Sequence, residues 1–366
     1  MIVPLVLNVI LVLLQGILNG IRAIGSLAIT QVVQGLFLAL AAYPVSLLVK
    51  SGYPVAMVAF ISCGLLGGVI YAGVKVFRAE LFSRSDFRRA VLNKADFTGF
   101  VKLSGVIFFS FFLVALVLLA IRLMATDIGG LAYAGYLDSA WVISNTYLMF
   151  FSTSIVTYYF PTLSSMTSEE DRSRFVFQAM RMVGIIIVPV VVLTICLKGL
   201  IVNALYSKAF LPALEILRWM LIAGFLKISG SFLGNLLLAK QDLKVYFWKQ
   251  LTIYSTFLLA SYLIFYRLES LEGIGIAYCL MCLANLLFLL GYCSFRYKTN
   301  YVRAFSGSWT IGLLLIIAAS ISSWNETETD WSLISAWMGG LAMYCLMILK
   351  PEERRRLFAL LKRRSA

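Results

Sequence analysis

Histidine is absent from the 366 residues, which removes the commonest general base, the commonest metal ligand and the side chain that switches charge near neutral pH. Charge is scarce too, at 13% of residues, and acids are scarcer still, with 17 Asp and Glu against 31 Lys and Arg. No Gly-x-x-x-x-Gly-Lys-Ser/Thr stretch occurs, so ATP-driven work would need another subunit. These absences weigh against catalysis and imply no cofactor and no metal. Passive or ion-coupled transport is the leading class.

What fills the chain is hydrocarbon. Hydrophobic residues make up 61% and the mean hydropathy is +0.92, outside the range of soluble domains. Apolar runs of spanning length, about 17 to 25 residues, fall at 2–20, 27–49, 54–77, 104–123, 138–160, 178–197, 213–239, 247–266, 274–295, 309–324 and 331–349. None shows the ten-residue alternation of a membrane barrel. The expected fold is all-α, a polytopic membrane bundle of eleven transmembrane helices.

Cys63, Cys196, Cys279, Cys282, Cys293 and Cys345 lie in or beside these runs. "CLMC" at 279 to 282 has redox spacing, but no second pair or histidine accompanies it, so the cysteines read as small packing residues.

Lysine and arginine cluster in alternate connections: seven in 75–103, seven in the tail from Lys350, and three each near 172–181, 240–249 and 296–303. The intervening connections carry Asp127, Glu269, Glu272, Glu326, Glu328 and Asp330. The positive-inside rule puts the basic side, and the C-terminus, in the cytoplasm. The net charge of +14 then reads as topology and attraction to anionic lipid, not nucleic acid. An odd number of helices with an internal C-terminus places Met1 outside, so the expectation is that an odd number of upstream helices is missing from this chain.

Polar residues in the runs suggest wet faces. Asn8, Gln15, Asn19 and Arg22 share one face of the first run; Asp138, Asn145, Ser152 and Tyr159 recur every seven residues in the fifth. The competing reading is hydrogen-bonding glue between helices. In the seventh run Glu215 and Arg218, at i and i+3, are spaced to pair. Lys227 stands near the middle, about 20 Å from either end. A mid-membrane cation costs at least about 2.5 kcal/mol, which a cavity or an anionic partner should offset.

Two blocks, "ISNTYLMFFSTSIVTYYFPTLSSMTSEEDRSR" (143–174) and "LEILRWMLIAGFLKISGSFLGNLLLAKQDLKVYF" (214–247), resemble the second lobe of the O-antigen and lipid III flippases of the MOP exporter superfamily. That resemblance implies a two-lobed fold with alternating access. It places 1–77 as the last three helices of an incomplete first lobe and 78–103 as a basic cytoplasmic connection. The second lobe would be 104–295, followed by an extra pair at 309–349 and a basic tail at 350–366. It implies flipping of an undecaprenyl-pyrophosphate-linked oligosaccharide across the bacterial inner membrane. The implied partners are that polyprenyl-linked glycan and membrane lipids, with a glycan polymerase and a chain-length regulator as neighbouring machinery.

Lys227 and Lys240 match lysines of the family, and Arg174 matches an arginine at the cytoplasmic end; a pyrophosphate would also use Arg218. The family often has Gly-Asp shortly before the intramembrane lysine where this chain has Ala223 and Gly224, and an acid of some relatives is replaced by Asn145. The acids through which such relatives would couple to protons or sodium are absent at these positions. The expected cavity set is Lys227, Lys240, Arg218, Arg174, Arg22, Asn145, Asp138, Ser152, Gln15 and Asn19. A cation or drug exporter of the same fold and a membrane glycan polymerase remain as alternatives.

Overall fold

The computed structural model describes residues 2–21, 23–53, 55–78, 94–268, 270–305, 307–324 and 330–348, and among these all regular structure is helical. The chain forms two compact units, Met1–Asp96 and Phe97–Ala366. The first holds α1 (Ile2–Gly20), α2 (Ile24–Lys50) and α3 (Ala56–Arg78). Leu11 and Leu18 of α1 pack against Leu65 and Ala72 of α3. The outer faces are as apolar as this small core: Leu13, Leu40 and Ile70 are all exposed. Such surfaces suit hydrocarbon as the solvent, where a helix satisfies its own backbone.

The second unit takes in all but the first three residues of α4 (Lys94–Ser154), a 61-residue helix broken at Gly130, where φ is 67° and ψ is −167°. Only glycine adopts this combination readily. Arg122 and Asp138 lie 16 residues apart across the break and form an ion pair; a straight helix would hold them about 24 Å apart. The two arms, 94–129 and 131–154, therefore fold back on each other. A π-helical turn, Ile155–Tyr159, carries α4 into α5 (Phe160–Ser165).

α6 (Glu169–Cys196) starts at Ser168, whose hydroxyl accepts from the Asp171 N–H at 3.4 Å, with Glu169, Glu170 and Asp171 in the first turn. Cap and charge both suit the positive end of the helix dipole. After α7 (Lys198–Leu205) comes α8 (Ala213–Ala239), the centre of the unit. Twenty of its residues are buried, because it is apolar all round. It packs most extensively on α10 (Glu272–Arg296) and also on α6, while α9 (Leu243–Leu268) lies mainly on α10.

α11 (Ser308–Ser322) packs on α6, and α12 (Trp331–Ile348) closes the described chain. Trp309 of α11 donates to the buried Ser229 hydroxyl of α8 at 2.9 Å. Buried Lys198 donates to the carbonyl of Ser323, the C-cap of α11, where the helix dipole is negative.

All eleven predicted runs fall on helices, yet eight described helices are long and apolar enough to cross a membrane. Runs 104–123 and 138–160 both draw on the folded α4, the second continuing through the π turn to the start of α5. Run 247–266 carries Lys249 and several Tyr, Ser and Thr in α9, and 309–324 forms only the 15-residue α11.

Candidate functional site

The sequence brings Lys227 to the middle of α8, about 21 Å from Ala213 and about 18 Å from Ala239 along the axis. Its ammonium donates to Asn145 Oδ1 at 3.2 Å, on the second arm of α4. Asn145 in turn donates from Nδ2 to the Trp141 carbonyl at 2.8 Å, which orients the amide oxygen toward the lysine. The Lys227 nitrogen also lies 5.8 Å from the ring centres of both Trp141 and Tyr278. Those two rings pack 5.1 Å apart. One face of α4 supplies Trp141 and Asn145, at i and i+4, and α10 supplies Tyr278.

This is an aromatic and amide cradle for a cation, with no ion pair to Lys227 among the described residues. Cation–π contact contributes about 0.5 to 2 kcal/mol and a neutral amide about 1 kcal/mol. Neither neutralises the charge. The arrangement holds an ammonium in place with its charge uncompensated, which is the chemistry needed to meet an anion.

Lys240 has a different environment. It is the C-cap of α8, and the chain turns there through a Schellman motif: Asp242 N–H bonds Leu237 O, Gln241 N–H bonds Leu238 O, and Gln241 takes φ 57°. The turn aims the Lys240 ammonium at Glu169 on α6, with which it forms an ion pair, and lays it 3.7 Å from the Tyr297 ring centre. Tyr297 donates to Asp242 at 2.6 Å. Burial first, then the hydrogen bond to Asp242, push the Tyr297 phenol above its ordinary value, so it stays a donor. Lys240 is thus engaged in an internal clasp with Glu169 and Tyr297.

Arg218 is buried and also bonded within the unit. The predicted Glu215–Arg218 side-chain pair is replaced: Arg218 Nε donates to the Glu215 backbone carbonyl at 3.1 Å, and its carboxylate partner is Glu272 of α10 at 3.8 Å. The guanidinium stacks 4.0 Å over Trp324 and donates to that residue's carbonyl at 3.3 Å. Burial of α8 draws the arginine toward neighbouring helices instead of along its own surface. Glu272 is shared further, accepting from Trp219 Nε1 at 2.9 Å.

The predicted stripe of α4 is not one wet face. Asp138 pairs with Arg122 and lines a cavity of about 280 Å³ with Trp141, Phe257 and Ile274. Ser152 is exposed, and Tyr159 is buried, donating to the Phe232 carbonyl at 3.2 Å. The π turn rotates the face between Ser152 and Tyr159. Arg174 is exposed and pairs locally with Glu170 at 2.9 Å and Asp171 at 3.8 Å. In the first unit Gln15 and Asn19 are half-buried and Asn8 is exposed. Asn19 Oδ1 has no hydrogen bond. Arg22 lies outside the described residues. Of the predicted set, the structure brings Lys227 and Asn145 together. Trp141 and Tyr278 were missed, although Trp141 sits four residues before Asn145 on the same face.

A family model described as polysaccharide biosynthesis protein matches residues 39–215. The lipid III flippases of Escherichia coli (strain K12) and Shigella flexneri are each 29% identical to the chain over 104 residues. Those alignments cover 28% of this chain and 25% of each relative, so the chain matches about a quarter of the length of these proteins. In three dimensions the chain is similar to the lipid II flippase MurJ in its inward closed conformation. The TM-score is 0.54 at 14% identity, over 88% of this chain and 66% of that one. The chain is a multi-pass all-α membrane protein that shares its fold with MurJ and is similar over part of its length to the lipid III flippases and to a family of polysaccharide biosynthesis proteins.

Proposed function

We propose that this chain serves to translocate a lipid-linked oligosaccharide, an undecaprenyl-pyrophosphate-linked glycan such as an O-antigen repeat unit, from the cytoplasmic to the outer leaflet of the bacterial inner membrane. The observation that carries this reading is Lys227, a mid-helix ammonium bonded to a neutral amide and bracketed by two aromatic rings. A pyrophosphate leaves water only where fixed cations replace its hydration. The relatives similar in sequence are, by their names, flippases of lipid III, and the structural neighbour is a flippase of lipid II.

On this reading the basic connections and the C-terminus face the cytoplasm, 104–295 is a complete second lobe, and 309–349 is an added helix pair. A cation exporter would call for an uncommitted carboxylate in the membrane, and Asp138 is held by Arg122. The test is surface glycan display in a strain whose own flippase is deleted and which expresses this protein. Lys227→Ala is expected to abolish display while the protein still inserts. Undiminished display by that variant would remove Lys227 from the site.

A further inference from the structure

A second cationic site lies on α9 and α10, away from Lys227. The two helices are joined by a short turn and run side by side, leaving a groove of about 750 Å³. On α9 its wall includes Lys244, Trp248, Lys249 and Thr252, one or two turns apart; on α10 it includes Phe288 and Tyr292. The remaining wall is mainly aliphatic.

Lys249 is only 7% exposed, although it lines the groove. Its ammonium lies 4.7 Å from the Tyr246 ring, and it has no ion pair or hydrogen bond among the described residues. Lys244, five residues earlier on α9, also lines the groove and is exposed. Asp242, the acid just before α9, is already accepting hydrogen bonds from Tyr297 at 2.6 Å and Tyr292 at 3.4 Å. A buried ammonium without a counterion is costly. Here an anion supplied from outside the chain would offset it.

We infer that this groove binds an anionic glycerophospholipid of the surrounding bilayer, its phosphate held by Lys249 and Lys244 and an acyl chain laid along the apolar wall between α9 and α10. Charge complementarity selects the head group: Lys244 and Lys249 both line a groove whose wall is otherwise mainly apolar. Trp248, 55% exposed at the mouth, is the amphipathic residue type that settles at the head-group level. The site is independent of the transported cargo and adds a lipid requirement to the protein.

The test is native mass spectrometry of the full chain released from nanodiscs of equal phosphatidylglycerol and phosphatidylcholine. Phosphatidylglycerol is expected to be retained about tenfold over phosphatidylcholine. Lys244→Gln, an exposed change that does not threaten folding, should reduce that preference. Lys244→Gln with Lys249→Met should remove it, and Lys208→Gln, an exposed lysine elsewhere, should leave it intact. Equal retention of the two lipids, or an unchanged preference in both groove variants, would overturn the assignment. So would displacement of phosphatidylglycerol by equimolar prenyl phosphate, which would give the groove to a carrier lipid instead.

Discussion

Lys227 on α8 and Asn145 on the second arm of α4 are 82 residues apart in the chain and meet at 3.2 Å. The partner is an amide, and that is its significance. A carboxylate there would close an internal ion pair and consume the charge, whereas the amide orients the ammonium without setting an opposite charge beside it.

Asn145→Asp should therefore be as damaging to glycan display as loss of the lysine, with a drop of about tenfold or more, because a carboxylate at hydrogen-bond distance competes with the substrate phosphate. Thermal stability should hold or rise. Asn145→Leu should cost less activity and more stability. Display assays paired with melting curves of the purified protein separate the two; wild-type display by Asn145→Asp would show that the charge of Lys227 is not used.

The clasp between Lys240 and Glu169 predicts a coupled pair. Glu169 is half-exposed, so the coupling should be modest, about 0.5 to 1 kcal/mol in a double-mutant cycle of Lys240→Ala and Glu169→Ala. Lys240→Arg should retain both the pair and the stacking on Tyr297. Additive losses of stability in the cycle would show that the contact contributes nothing.

Gln241 occupies the left-handed position of the Schellman turn at φ 57°. Gln241→Gly should stabilise the protein by about 0.5 to 1 kcal/mol, since glycine meets that conformation without a Cβ penalty. A lowered melting temperature would mean that the Gln side chain has a role beyond the turn.

Gly130 predicts the opposite sign. Its φ of 67° with ψ of −167° is where the arms of α4 reverse, and Gly130→Ala should cost about 1 to 3 kcal/mol. Expression and melting temperature should both fall. Arg122→Ala, which leaves the backbone alone, should cost less.

Gly275 of α10 marks a close approach to α8: a Cβ there would lie 3.1 Å from the Ile216 carbonyl oxygen and 2.9 Å from Trp219 Cβ. Gly275→Ala should destabilise by about 1 to 3 kcal/mol, because a backbone atom cannot step aside as a side-chain end can. A fluorescence melt unchanged from the parent would mean that the two helices slip apart at little cost.

Membrane residence, all-α architecture and the positions of the apolar runs follow from the sequence by itself. They depend on composition along a single segment, since hydrocarbon penalises every unsatisfied backbone group wherever it falls. Lys227 stood out for the same reason: its cost depends on depth in one helix. Which residues met it did not follow. Its amide partner comes from α4 and its rings from α4 and α10, and the folded-back α4 depends on one glycine dihedral. Lys240 and Arg218 looked available in sequence because their partners Glu169 and Glu272 are 71 and 54 residues away. A cation's availability is a sum over everything packed around it, and only the tertiary structure fixed that sum: it committed Lys240 and Arg218 to internal acids and gave Lys227 an amide and two rings, with no acid paired to it among the described residues.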